Sequence, residues 1–187
     1  MSRLKSISPE SATGKSHDLL QAVNAKLGMV PNMMGIMANA PAVLEGYLQL
    51  SGSLNTGKLP AKVREQLALA VAELNHCDYC LAAHSAIGKM VGLTGDQIRD
   101  SRLGTAVDAK TELLLRLARK LVENRGRVSN IDLEEVREAG FDDGAIAEVV
   151  AHVALSIFTN YFNIAADTDI DFPKAAALNV ETAATAS

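Results

Sequence analysis

Every long apolar pattern in this chain repeats at three and four residues, and none alternates at two over a convincing length. That period confines the fold to packed helices. Leu19, Leu20, Val23 and Leu27 predict a helix over residues 16–27, with Gly28 as its stop. The stretch "MVPNMMGIMANAP" reads as a short helix or turn between two prolines, its methionines pliable core filler. A helix over 41–54 follows, then the turn "NTGKLP". Pro60 suits a first helical turn. The helix it opens carries "LALAVA" at 67–72, apolar on most sides and therefore buried. Thr94 with Gln97 fits a capping box, residues 108–123 form a strongly amphipathic helix, and Ser129 caps another that Gly140 ends. Asp142 or Asp143 caps the long final helix, and periodicity fades from Asp167 onward. The expected fold is all-α: one domain of about eight helices over residues 1–173, then a tail over 174–187.

Aromatic residues make up only 4% of the chain and Trp is absent, so abundant Ala must let the helices approach closely. The net charge is −4, with no basic tract, which argues against nucleic-acid binding. The N-terminal stretch has no apolar core of signal-peptide length. The longest apolar region, "AIAEVVAHVALSIFTNYFNIAA", is interrupted by Glu148, His152, Asn160 and Asn163. It reads as a buried helix with no membrane partner, and the expected location is cytoplasmic.

Both cysteines lie in "ELNHCDYCLAAHS". Cys77 and Cys80 are three apart and His84 is four further on, so a helix presents thiol, thiol and imidazole on one face. A helix beginning near Asn75 would place both thiols in its first turns, where unpaired N–H groups and the helix dipole stabilise a thiolate. His84 could then take the Cys80 proton or stand beside the thiolate as imidazolium. A thiolate attacking peroxide gives a sulfenic acid, which the second cysteine closes to a disulfide.

Two other readings stay open at this level. Cys-x-x-Cys-x-x-x-His offers three zinc ligands, but structural zinc takes four, and His17, His76 and His152 stand singly. Two inert core cysteines are the plain alternative. Spacing does not choose a carboxylate partner either. Glu73 is one helical step before Cys77, whereas Glu65 reaches the pair only from a preceding helix folded alongside. Tyr79, between the cysteines, either packs or holds a proton path. His152 reads as a core histidine, and Asn160 and Asn163 as backbone-bonding residues. A faint internal repeat sets Glu65 opposite Glu148 and the cysteine pair opposite Asn160 and Asn163.

Glu65, then eleven residues, then "CDYCLAAH" resembles the signature of the alkylhydroperoxidase D-like proteins, within the carboxymuconolactone decarboxylase superfamily. "LGMVPNMMGIMANAPAVLEGYLQL" and "NYFNIAADTDIDFP" look like flanks of its peroxidase-related subgroup, so the resemblance spans about residues 25–173. It implies an all-α fold that assembles into homo-oligomers, trimers or hexamers. It implies a thiol-dependent peroxidase or disulfide reductase without a bound cofactor or metal, acting on a hydroperoxide or disulfide and reset by a dithiol or protein reductant. Cys80 would be the attacking thiol, supported by His84, and Cys77 the resolving thiol. Glu65 would be the base that starts a proton relay toward Cys77. The family pattern has a histidine between the cysteines where this chain has Tyr79, and a phenol is a much weaker base near neutral pH. Decarboxylase members lack the cysteine pair, so the resemblance does not imply decarboxylation. The alternative role is a non-enzymatic redox sensor or binding scaffold.

Overall fold

The computed structural model describes residues 1–178. Among them are nine α-helices and no strand: α1 (Gly14–Leu27), α2 (Asn32–Met37), α3 (Pro41–Leu54), α4 (Ala61–Leu74), α5 (Asp78–Met90), α6 (Gly95–Leu103), α7 (Ala109–Glu123), α8 (Asn130–Glu138) and α9 (Asp143–Ala166). The short methionine-rich segment is a true helix, α2, which makes one more helix than expected. Most sequence boundaries coincide with these ends. Gly28 caps α1 with φ 76°, Thr94 and Ser129 close capping boxes, and Asp142 rather than Asp143 caps α9.

The architecture is organised around α4, which packs against α5, α6, α7 and α9. Its apolar run serves two cores at once. Leu69 and Ala72 face a cluster built from α1, α2, α3 and α5. Leu67, Ala70 and Val71 face a second cluster built with α7, α8 and α9. A helix with partners on most sides must be apolar on most sides, which explains "LALAVA". The turn before α4 is held by α9: the Glu148 carboxylate accepts the N–H groups of Lys58 (2.8 Å) and Leu59 (3.0 Å). Gly57 sits against that carboxylate so closely that an added Cβ would meet it at 2.5 Å.

By length and composition α9 could cross a membrane. In the fold it is a core helix whose buried face includes His152, Asn160 and Asn163. After it the chain has no helix, yet residues 168–178 are not a loose tail. The Asp171 carboxylate accepts the Asn32 N–H at the start of α2 (2.6 Å), Phe172 packs edge-on against Tyr79, and Arg102 Nη1 donates to the Ala176 carbonyl (2.5 Å). The remainder of the expected tail, 179–187, lies outside the described residues.

Candidate active site

The helix carrying the cysteines does not begin at Asn75. Asn75 ends α4, and the chain turns through His76, which adopts the left-handed conformation with φ 54°. Histidine tolerates that region better than most side chains. Cys77 becomes the cap residue, and its sulfur accepts the Cys80 N–H at 3.3 Å. The corrected boundary puts Cys80 in the first turn, where free backbone N–H groups gather.

The two sulfurs are joined as the Cys77–Cys80 disulfide, with Cα atoms 5.2 Å apart. Both residues are almost fully buried, but not equivalently. Cys80 lines an apolar cavity of about 240 Å³, and Cys77 lies behind it. His84, one turn beyond Cys80, lines the same cavity. The turn at 75–77 lets α5 fold back along α4, and that brings Glu65 across to His84. Glu65 Oε2 and His84 Nδ1 are 2.8 Å apart, both side chains mostly buried. With Nδ1–H donated to the carboxylate, Nε2 is left to accept a proton.

The same helix break separates Glu73 from the sulfurs. Its carboxylate instead accepts Arg102 Nε at 2.7 Å, and Arg102 is itself buried. The two glutamates left open by spacing thus have distinct partners. Glu65 meets the histidine, and Glu73 meets an arginine that also grips the C-terminal segment.

Tyr79 is buried and turns its hydroxyl toward α2, accepting the Met33 N–H at 3.4 Å. Burial pushes its phenol far above the ordinary range; the Met33 N–H opposes this, and the nearby Asp171 carboxylate adds to it. Tyr79 therefore stays protonated at neutral pH. It forms a wall of the cavity, engaged with α2 and Asp171 rather than with Glu65.

Asn163 is the residue whose place differs most from its sequence reading. It does not bond backbone. Its buried Nδ2 donates to Cys80 Sγ at 3.5 Å and to Met33 Sδ at 3.1 Å. Its neighbour Asn160 accepts from Asn75 Nδ2 at 2.9 Å, tying α9 to the turn before the cysteines. Asn160 and Asn163 are three apart and share a face, the same spacing as the cysteines they approach; that match was the only signal in the sequence. The methionines have a second role as well, since Met29, Met33, Met34 and Met90 all line the cavity.

Among the described residues, no group of three or more His, Cys, Asp or Glu side chains could hold a metal ion. A larger cavity, about 470 Å³, lies between α5, α6 and residues 173–178, away from the sulfurs.

The model of the carboxymuconolactone decarboxylase family matches residues 41–124, which run from α3 to the end of α7. No curated protein is a significant match. Among solved structures, the chain is similar to an alkylhydroperoxidase AhpD core protein, an uncharacterized peroxidase-related protein from Ralstonia eutropha JMP134. That pair has a TM-score of 0.81 at 23% identity, covering 91% of this chain and 92% of the other. A peroxidase-related protein from Silicibacter sp. TM1040 aligns with TM-score 0.72 at 25% identity, covering 83% and 84%. The apo form of a debrominase aligns with TM-score 0.73 at 18% identity, covering 91% of each chain.

Proposed function

We propose that the chain, whose residues 41–124 match the carboxymuconolactone decarboxylase family and whose fold is similar to alkylhydroperoxidase D-like structures, is a thiol-dependent peroxidase cycling through Cys80 and Cys77. One observation carries this reading. Of two paired sulfurs, one opens on an apolar cavity beside a carboxylate-held histidine, and the other is sealed behind it.

The cycle balances with the groups at hand. His84 takes the Cys80 proton, and the thiolate attacks the distal oxygen of ROOH. An S–O bond forms, the O–O bond breaks, and the alkoxide leaves as ROH with a proton. The Cys77 thiolate then attacks the sulfenic sulfur of Cys80, forming the S–S bond and releasing water. A dithiol or protein reductant supplies two electrons and two protons to restore both thiols. Asn163 Nδ2 stabilises negative charge on the Cys80 sulfur. Tyr79, held neutral, shapes the cavity, and the Glu65–His84 couple moves the proton. A reducing cytoplasm suits a cycle that depends on such a reductant.

The cavity also speaks to the oxidant. Among the described residues its lining carries no Lys, Arg, Asp or Glu. An uncharged, lipophilic hydroperoxide fits better than an anionic one, since a buried carboxylate would find no cation. The test is hydroperoxide consumption with a dithiol donor by wild type, Cys80→Ser and His84→Ala. Equal rates in all three sink the assignment. Stoichiometric oxidation without recycling, coupled to altered binding of a partner, would favour a redox sensor instead.

Assembly belongs to the same proposal. The outer face of α9 exposes Val150, Phe158, Tyr161 and Ile164, with Tyr161 60% exposed. Apolar side chains in a stripe along one helix mark an interface. A homo-oligomer, trimer or hexamer, would cover it. Sedimentation is expected to show wild type well above the 19.8 kDa monomer mass, and Phe158→Glu to shift it down toward the monomer. A wild type that sediments as a monomer refutes the assembly.

A further inference from the structure

His84 stands between two cavities of opposite character. On one side is the apolar cavity with Cys80. On the other is a smaller one of about 80 Å³, lined by Ser51, Arg64, Glu65, His152 and Ser156. Tyr47, His84 and Thr159 line both and form the partition. The volume accommodates two or more waters, at about 30 Å³ each, and the lining offers them polar partners.

His152 faces this second cavity from α9. It is only 8% exposed, and its Nε2 is fully buried without a protein partner. A buried imidazole nitrogen on a polar cavity wall is satisfied by water or not at all. The charged and titratable groups around it are Arg64 and Glu65 from α4, Glu148 from its own helix, and Tyr47 and His84 on the cavity wall. Burial first, and then Arg64, hold the His152 imidazole below its ordinary range, with Glu148 and Glu65 opposing. It is therefore neutral at pH 7 and keeps a hydrogen-bonding nitrogen for water.

We propose that this polar cavity is the proton side of the site, and that His152 is a positioning residue holding water there against the Glu65 carboxylate. The inference rests on the peroxidase reading for its purpose, but not for its test. Hydrated in this way, the Glu65 carboxylate keeps its contact with His84 Nδ1. When Cys80 loses its proton to His84, the imidazolium forms beside a charged and solvated carboxylate. The proton then exchanges with solvent through the polar cavity, without crossing the apolar one. Substrate and proton use opposite faces of one histidine.

The consequence is measurable without any peroxide. The reduced protein is alkylated with iodoacetamide over a pH series, and the adduct on Cys80 is followed by peptide mass spectrometry. In His152→Leu the water loses its partner, Glu65 is less well solvated, and the Cys80 proton is harder to remove. The midpoint of the alkylation profile is expected to rise by about one pH unit, which is about tenfold slower alkylation on the rising limb. His152→Gln, which retains a hydrogen-bonding amide, is expected to keep a midpoint near wild type. Ser156→Val removes a polar group from the same wall and is expected to shift the midpoint in the same direction, so it decides the matter if His152→Leu does not fold. Wild-type midpoints in folded His152→Leu and Ser156→Val overturn the proposal. Hydroperoxide turnover by wild type, measured separately, tests the peroxidase reading alone; its absence would leave an observed midpoint shift standing.

Discussion

Cys80→Ser is expected to lower hydroperoxide turnover by about a thousandfold or more, to the uncatalysed background, because a serine hydroxyl is not ionised near neutral pH and cannot replace the thiolate. Cys77→Ser is expected to behave differently. It lacks the resolving sulfur but keeps the attacking one, so it should complete the first half-reaction once. The product is a single sulfenic acid on Cys80, one added oxygen by mass spectrometry, and trappable with a dimedone-type reagent. The asymmetry follows from position. Cys80 lines the apolar cavity beside His84, and its sulfur receives the Asn163 amide. Cys77 caps the helix from behind, its sulfur already bonded to the Cys80 N–H. A single turnover retained in Cys80→Ser and lost in Cys77→Ser would reverse the assignment of the two thiols.

How far the site could be read in advance depended on the range of the interaction involved. Contacts within one helix were legible. Cys80 and His84 are four apart, and that spacing alone put them on one face. The helix caps at Thr94 and Ser129 were equally legible, because a cap is a local event. Contacts between helices were not. Glu65 and Glu73 flank the same apolar run, and only the left-handed turn at His76 decides which one meets His84. A histidine with positive φ leaves no periodic trace in a sequence, so the α5 start was expected near Asn75, two residues before its actual cap. Asn163 shows the same limit. From spacing it was one polar residue on an apolar helix; only α9 laid against α5 and α2 reveals an amide aimed at two sulfurs. The C-terminal segment has no periodicity because it is not a helix, yet Asp171 and Phe172 help to build the wall around Tyr79. Loss of pattern marked the end of regular structure, not the end of the site.

The two glutamates give the second large effect. His84→Ala is expected to slow hydroperoxide reduction by about 10²- to 10⁴-fold, the usual span for removing a general base. Glu65→Gln is expected to fall in the same range, because it leaves the imidazole in place but removes the negative charge beside Nδ1. The double variant should be little slower than His84→Ala, since the two residues act as one unit and their losses do not add. Glu73→Gln tests the opposite expectation. Its carboxylate holds buried Arg102, which also binds the Ala176 carbonyl. Removing that charge weakens a hydrogen bond to a charged group, at a cost of about 1–3 kcal/mol in stability. The urea midpoint should fall while Cys80 alkylation and turnover per folded molecule stay near wild type. If instead Glu73→Gln abolished turnover at full stability and Glu65→Gln left it intact, the proton would have to leave through the α6 side of the molecule. The Glu65–His84 contact would then be an ordinary structural ion pair.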